Sequence, residues 1–188
     1  PANLYDDDTG IYVTGTAYDE WYKEAYANLA EGETIGNQNA ALANFNQRGR
    51  EWEREAVFTV FSDAELTEKT PVGIRVQGSA ARSLKWKRFS IYARKQYGGS
   101  SYFNALLLNT VRQHSYVTRD GALHAISQEL GRNRDVLTVD FIPATLFLNG
   151  EYWYKTYLFE KFNEKNIAFF YLYSLKIIRN GFILYCLH

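Results

Sequence analysis

The clearest hydrophobic pattern lies at residues 72–94, where two alternating runs flank a turn of small residues. In the first run, 72–77, valine and isoleucine alternate with glycine, arginine and glutamine. In the second run, 86–94, Lys87 heads a row that is otherwise apolar. Alternation with a period of two residues predicts two strands, and the small residues at 78–81 predict a short connection between them.

Two segments have the spacing of helices. Residues 17–30 repeat apolar side chains in helical register, and 31–50 reads as a long surface loop. A second helix is predicted to begin at Thr118 as N-cap and to stop at Gly131. Its predicted core-facing residues are Leu123, Ile126 and Leu130.

Further strands are predicted on both sides of the central pair. Residues 57–61 alternate as a strand, and the charged segment 63–70 reads as a connection. Residues 138–148 contain Pro143, which predicts an edge or bulged strand. Asn149-Gly150 predicts a tight hairpin into an aromatic strand over 151–160. The fold class expected is therefore α+β, with antiparallel hairpins and inserted helices.

Composition narrows the classes of function. The chain has 188 residues and equal numbers of basic and acidic side chains, 21 of each. A general nucleic-acid or membrane-surface binder would need a basic excess, so neither is expected. Neither a signal peptide nor a membrane span can be recognised in this sequence. The absence of methionine is typical of a processed or fragmentary piece.

The candidate chemistry is concentrated around the central turn. Arg75 and Arg82 offer the bidentate geometry that suits phosphate oxygens, and the backbone at Gly78 and Ser79 offers N–H donors. Lys87 on an apolar row either extends to solvent or awaits an anion, and phosphate is the anion we expect. The alternative is that these cations are solvated side chains on a twisted ribbon.

Other chemistries have weaker signals. His114, His124 and His188 are far apart and lack a metal-ligand pattern. Asp120, Asp135 and Asp140 are available carboxylates, but their spacing does not require a metal. The sequence therefore assigns neither catalytic residues nor metal ligands.

Four segments together resemble the bacterial spore-coat CotH kinase family. They are DDDTGIYVTG (6–15), FNQRGREWEREAVFTVFS (45–62), GIRVQGSAARSLKWKRFSIYARKQYG (73–98) and FLNGEYW…LFEK (147–161). Each motif is weak alone, but their order and spacing agree with that family.

The resemblance implies an atypical, ATP-dependent protein kinase that transfers phosphate to protein hydroxyls and uses Mg²⁺. It implies that Lys87 contacts the nucleotide phosphates and that Glu160 is the partner of Lys87. With Arg75, Gly78, Ser79 and Arg82 these residues form the expected ATP-binding set. A coat or surface protein is the implied substrate, and the spore coat or cell surface the implied location.

The resemblance ends near Asn163, before the family's metal-binding and catalytic region. We therefore expect a kinase-like portion at 1–163 and a divergent aromatic tail at 164–188, forming an incomplete domain with impaired activity. The alternative is a non-catalytic surface or coat module that contacts a protein or glycan through the aromatic residues 152–154. A third possibility is an incomplete domain without activity of its own.

Overall fold

A computed structural model describes residues 2–36, 40–108, 112–132, 134 and 136–161. The predicted aromatic tail at 164–188 lies outside the described residues. Six strands and three helices follow one another along the described chain, joined by short 3-10 turns at Ala40–Leu42, Asn44–Asn46, Ala80–Ser83 and Lys95–Tyr97. The helices are α1 (Ala2–Tyr5), α2 (Thr16–Ala27) and α3 (Ala122–Gly131). The strands are β1 (Arg54–Ser62), β2 (Glu65–Gln77), β3 (Arg88–Ala93), β4 (Ser115–Arg119), β5 (Phe141–Leu148) and β6 (Glu151–Glu160).

All six strands form one antiparallel sheet in the order β1-β2-β3-β4-β6-β5. The two central strands, β2 and β3, pair as predicted, with Arg75 opposite Ser90 and Ile74 opposite Ile91. The chain leaves β4, forms α3, reaches the sheet edge as β5 and returns between β4 and β5 as β6. The α+β prediction is confirmed.

Two-residue turns close both outer hairpins. Asn149 and Gly150 have φ values of 54° and 86°, so the predicted hairpin is confirmed. The connection predicted at 63–70 is wrong, because the turn consists of Asp63 and Ala64 alone, with φ values of 51° and 64°. Asp63 tolerates positive φ but Ala64 does not favour it, so the sequence did not indicate a two-residue turn there. The charged residues that follow belong to β2.

The sheet buries apolar residues on both faces. One face carries Val72, Val76, Phe89, Ile91, Tyr116 and Leu158, covered by Leu4, Ile11 and Phe103. On the opposite face Val117 and Phe159 pack against Ala125 of α3 and against Val139. Helix α3 covers only one end of that second face, and the other end carries charged and polar side chains, including Arg75 and Tyr92.

The helix prediction at 118–131 is partly wrong. Thr118 belongs to β4, where its hydroxyl accepts a hydrogen bond from the Phe89 amide at 2.9 Å, and α3 begins after Gly121. The predicted core-facing residues are exposed, with Leu123 at 83% and Leu130 at 67%. The helix turns Ala125 toward the sheet instead, because the small side chain allows close packing on Phe159.

Helix α2 and the edge strand β5 match their predictions. Helix α2 spans most of the predicted segment, although none of its residues is fully buried. Strand β5 is an edge strand with a register shift between Leu146 and Phe147, and Pro143 is accommodated there. Within the described residues, no helix has the length and apolar character needed to cross a bilayer.

The core can be tested with two phenylalanines of opposite exposure. Phe103 is fully buried and its ring contacts Phe58 and Tyr116, whereas Phe61 is 67% exposed. We expect Phe103→Ala to lower the free energy of unfolding by about 3–5 kcal/mol through lost burial and a cavity. Phe61→Ala should cost under about 1 kcal/mol. Urea unfolding of both variants measures the difference, and equal losses would contradict this core.

Candidate functional site

A cleft of about 370 Å³ opens on the sheet face that α3 leaves uncovered. The polar side of β2 and β3 forms its floor, and the segment 47–49 and the turn after β2 form its walls. Its lining residues are Gln47, Arg48, Gly49, Arg75, Val76, Gln77, Gly78, Arg82, Ser90, Tyr92 and Lys161. We call it the first cleft. Four of these side chains are cationic, and no carboxylate occurs among the described lining residues.

Beside the first cleft, Glu53 holds two arginines in place. Its fully buried carboxylate accepts bonds from the Arg94 guanidinium, one to each oxygen at 3.0 Å, and lies 3.6 Å from the Arg75 Nε. The carboxylate crosses the sheet directly above Gly73, where a Cβ would lie 2.2 Å from the Glu53 Oε1. Position 73 must therefore be glycine for this arrangement to form.

Arg82 ties the turn after β2 to the segment 45–47. Its guanidinium donates to the carbonyls of Gly78 at 2.7 Å, Phe45 at 3.0 Å and Gln47 at 2.9 Å. Burial lowers the pKa of Arg82, and the nearby charges of Arg48 and Arg75 lower it further. Arg48 and Arg75 are therefore each close enough to repel the Arg82 guanidinium, and an anion would relieve that repulsion.

Tyr92 lies on the cleft floor among cations. The Arg75 and Arg94 guanidiniums lie 4.4 Å and 4.7 Å from its ring centre, and the Lys161 ammonium lies 4.6 Å away and bonds its hydroxyl. Burial raises the pKa of the Tyr92 hydroxyl, but the bond to Lys161 and the charges of Lys161 and Arg75 outweigh burial and lower it. The site therefore favours negative charge.

Lys87 does not take the expected position. Its side chain is buried on the apolar side of the sheet, and its ammonium donates to the carbonyls of Arg82 at 2.7 Å and Leu84 at 3.2 Å. The ammonium also lies 4.7 Å from the Tyr12 ring and 4.1 Å from the Phe45 ring. Lys87 is therefore neither exposed to solvent nor part of the first cleft. It instead stabilises the turn at 80–84 by bonding two of its carbonyls.

The expected pair of Lys87 with Glu160 is also wrong. No ion pair among the described residues joins them. Glu160 pairs with Tyr116, which is level with Ile91, so it lies four residues from Lys87 along the strands, or about 13 Å. The Glu160 carboxylate instead accepts bonds from the Gln113 amide at 3.0 Å and the Asp140 backbone N–H at 3.3 Å.

The structure thus brings half of the predicted set together. Arg75, Gly78 and Arg82 line the first cleft, whereas Ser79, Lys87 and Glu160 do not. The residues that sequence reasoning missed are Arg48, Tyr92 and Lys161. Lys161 directly follows Glu160 in the sequence. Neighbouring side chains in an extended segment point to opposite faces of the sheet, so Lys161 and not the predicted Glu160 lines the first cleft.

The described residues do not provide a metal centre. No group of three or more His, Cys, Asp or Glu side chains is placed to hold an ion in the described part of the chain. Asp120 pairs with Arg88, and Asp140 pairs with Arg132 at 2.8 Å. The expected Mg²⁺ therefore has no assigned ligands.

The aromatic hairpin mostly faces inward. Trp153 packs on Tyr12 and Trp86 with ring centres 5.3 Å and 5.1 Å apart, and the buried Tyr154 donates to the Lys87 carbonyl at 3.2 Å. Tyr152 is exposed beside Phe147 at the tip of the hairpin. Of residues 152–154, Tyr152 is exposed and Trp153 is partly exposed, so the alternative role as a contact surface would depend mainly on this tip.

No protein-family model, curated protein or solved structure matches the chain. The resemblance to the CotH kinase family therefore stays a prediction.

Removal of the Glu53 charge should destabilise the site. We expect Glu53→Gln to lower the free energy of unfolding by about 2 kcal/mol, because two partly buried guanidiniums lose their counter-charge. The control is Glu51→Gln, an exposed carboxylate two residues away, which should change stability by under about 0.5 kcal/mol. Denaturant unfolding measures both, and similar values for the two variants would contradict the assigned role.

Burial lowers the pKa of Lys87 to about 8 from its ordinary 10.5. Between these values the unfolded chain binds a proton that the folded chain has released, so stability should rise with pH across this window. Below about pH 8 both states are protonated and the dependence vanishes. We expect the free energy of unfolding of the wild type to rise by on the order of 2 kcal/mol relative to that of Lys87→Met between pH 7 and pH 10. Urea unfolding at both values tests this, and an unchanged difference would contradict it.

Proposed function

We propose that the first cleft binds the phosphate groups of a nucleotide, and that the chain is the phosphate-holding part of an ATP-dependent protein kinase of the CotH type. The carrying observation is the convergence of Arg48, Arg75, Arg82 and Lys161 on a cleft without a carboxylate among its described lining residues. Such a concentration of positive charge fits a polyanion better than a neutral ligand.

The donor geometry supports phosphate as the ligand. Arg75 lies against the Tyr92 ring and donates from one nitrogen to the Gly49 carbonyl at 3.1 Å, which fixes its guanidinium at the cleft. Arg82 is fixed by three carbonyls. Guanidiniums held in advance lose little conformational entropy when an anion binds, so the cleft is organised before its ligand arrives.

These residues would contribute charge neutralisation to phosphoryl transfer. That reaction depends mainly on positioning and on stabilising charge at the phosphate oxygens. Arg75, Arg82 and Lys161 would offset the charge of the ATP phosphates, while the Tyr92 hydroxyl would donate a hydrogen bond at the floor. The described residues supply neither metal ligands nor a carboxylate that orients an acceptor, so the proposal covers phosphate binding and leaves those roles unassigned.

Nucleotide binding can be tested by calorimetry with ATP, with and without Mg²⁺, and with tripolyphosphate. We expect both anions to bind the wild-type chain and Arg75→Gln to weaken binding about tenfold to a hundredfold, because a charge-assisted hydrogen bond is lost. The matched control is Arg88→Gln. Arg88 lies on the neighbouring strand, pairs with Asp120 and does not line the first cleft.

Unchanged ATP binding in Arg75→Gln would remove the first cleft from the proposal. Absence of ATP binding by the folded wild-type chain would overturn the function itself. If tripolyphosphate binds and ATP does not, the first cleft is an anion site and the nucleotide is excluded as its ligand.

A further inference from the structure

A second cleft adjoins the first and is larger, about 670 Å³. The two clefts share Tyr92 and Lys161, so a ligand in one lies beside a ligand in the other. The remaining lining residues of the second cleft are Arg50, Ala93, Arg94, Lys95, Gln96, Ser101, His114 and Ser115. None of the sequence motifs discussed above assigns this surface a role.

The lining of the second cleft suits carboxylates. Beside the rings of Tyr92 and His114, the described side chains that line it are mostly polar or charged, with Ala93 as the only aliphatic one. Arg50, Arg94, Lys95 and Lys161 supply four cations, and the described lining includes no Asp or Glu. The chemistry recognised here is therefore anionic and hydrogen-bonding.

The cations differ in how firmly they are held. Arg94 is fixed by both oxygens of Glu53, and that bond raises the pKa of Arg94. Arg50 bonds the Gln96 side chain at the rim, and Lys95 is exposed at the start of a 3-10 turn. One firmly held arginine together with two cations at the rim suits an extended chain that carries several negative charges.

We propose that the second cleft binds an acidic, glutamate- or aspartate-rich segment of a protein. Such a segment would bring its own serine or threonine hydroxyl beside the phosphates in the first cleft, since Tyr92 and Lys161 belong to both. The role as phosphate acceptor rests on the proposed function, whereas binding of the acidic segment does not.

The direct test compares two fluorescent peptides that differ only in charge. One has a central serine flanked by three glutamates on each side, and in the other every glutamate is replaced by glutamine. Fluorescence anisotropy should show at least tenfold tighter binding of the glutamate peptide at low ionic strength, and that preference should shrink as salt is added. Equal affinities would overturn the proposal.

A charge reversal at one exposed lysine tests whether the glutamate peptide binds at the second cleft. We expect Lys95→Glu to weaken binding of the glutamate peptide about tenfold and to change ATP affinity by less than about threefold, since Lys95 does not line the first cleft. The control is Lys23→Glu, an identical change on the exposed surface of α2. Similar losses in the two variants would show that the attraction is not local to this cleft and would overturn the proposal.

The two proposals fail in different ways. ATP binding without a preference for the glutamate peptide would leave the proposed function standing and overturn the second site. A local preference for the glutamate peptide without ATP binding would support the second site as a binding surface and overturn its acceptor role together with the kinase.

Discussion

The basic face of this sheet depends on one buried carboxylate. Glu53 lies between the guanidiniums of Arg75 and Arg94 and receives a further bond from the Tyr97 hydroxyl at 3.2 Å. Without it, two cations from adjacent strands would repel one another across Tyr92. The same contact anchors the segment that precedes β1 to the centre of the sheet, so it positions the wall of the first cleft as well as its floor.

The chain shows how little a net charge says about local charge. Its basic and acidic residues are equal in number, yet both clefts are lined by cations with no described carboxylate among them. Glu53 offsets only part of this excess. Interactions beyond about 10 Å are screened in ordinary salt, so a ligand at the clefts responds to the nearby cations more than to distant acids.

Much of the fold follows from patterns within a few residues. Alternation predicted the central strands, and Asn149-Gly150 predicted its hairpin because those residues tolerate positive φ. The same alternation shows why Lys87 cannot line the first cleft. With Arg75 opposite Ser90, side chains at 75, 90 and 92 share one face, and Lys87 must point to the other. The error came from reading proximity in sequence as proximity in space.

The remaining errors concern contacts between distant segments. Thr118 is suited to capping a helix, but its pairing in the sheet prevails because it satisfies the Phe89 amide. Glu160 and Lys161 differ by one residue and face opposite sides, a distinction that depends on the register of β6 against β4. Kinase activity, ATP as ligand and a coat or surface location stay predictions.

The missing side chain at Gly73 has a consequence for how this protein can vary. Because a methyl group there would occupy the space of the Glu53 carboxylate, the two positions form one unit. The effects of substitutions at Glu53 and Gly73 on the free energy of unfolding should be strongly non-additive. Once Glu53 is replaced by a shorter residue, a larger residue at position 73 should destabilise the fold much less than it does alone. Residues twenty positions apart therefore change together or remain as they are.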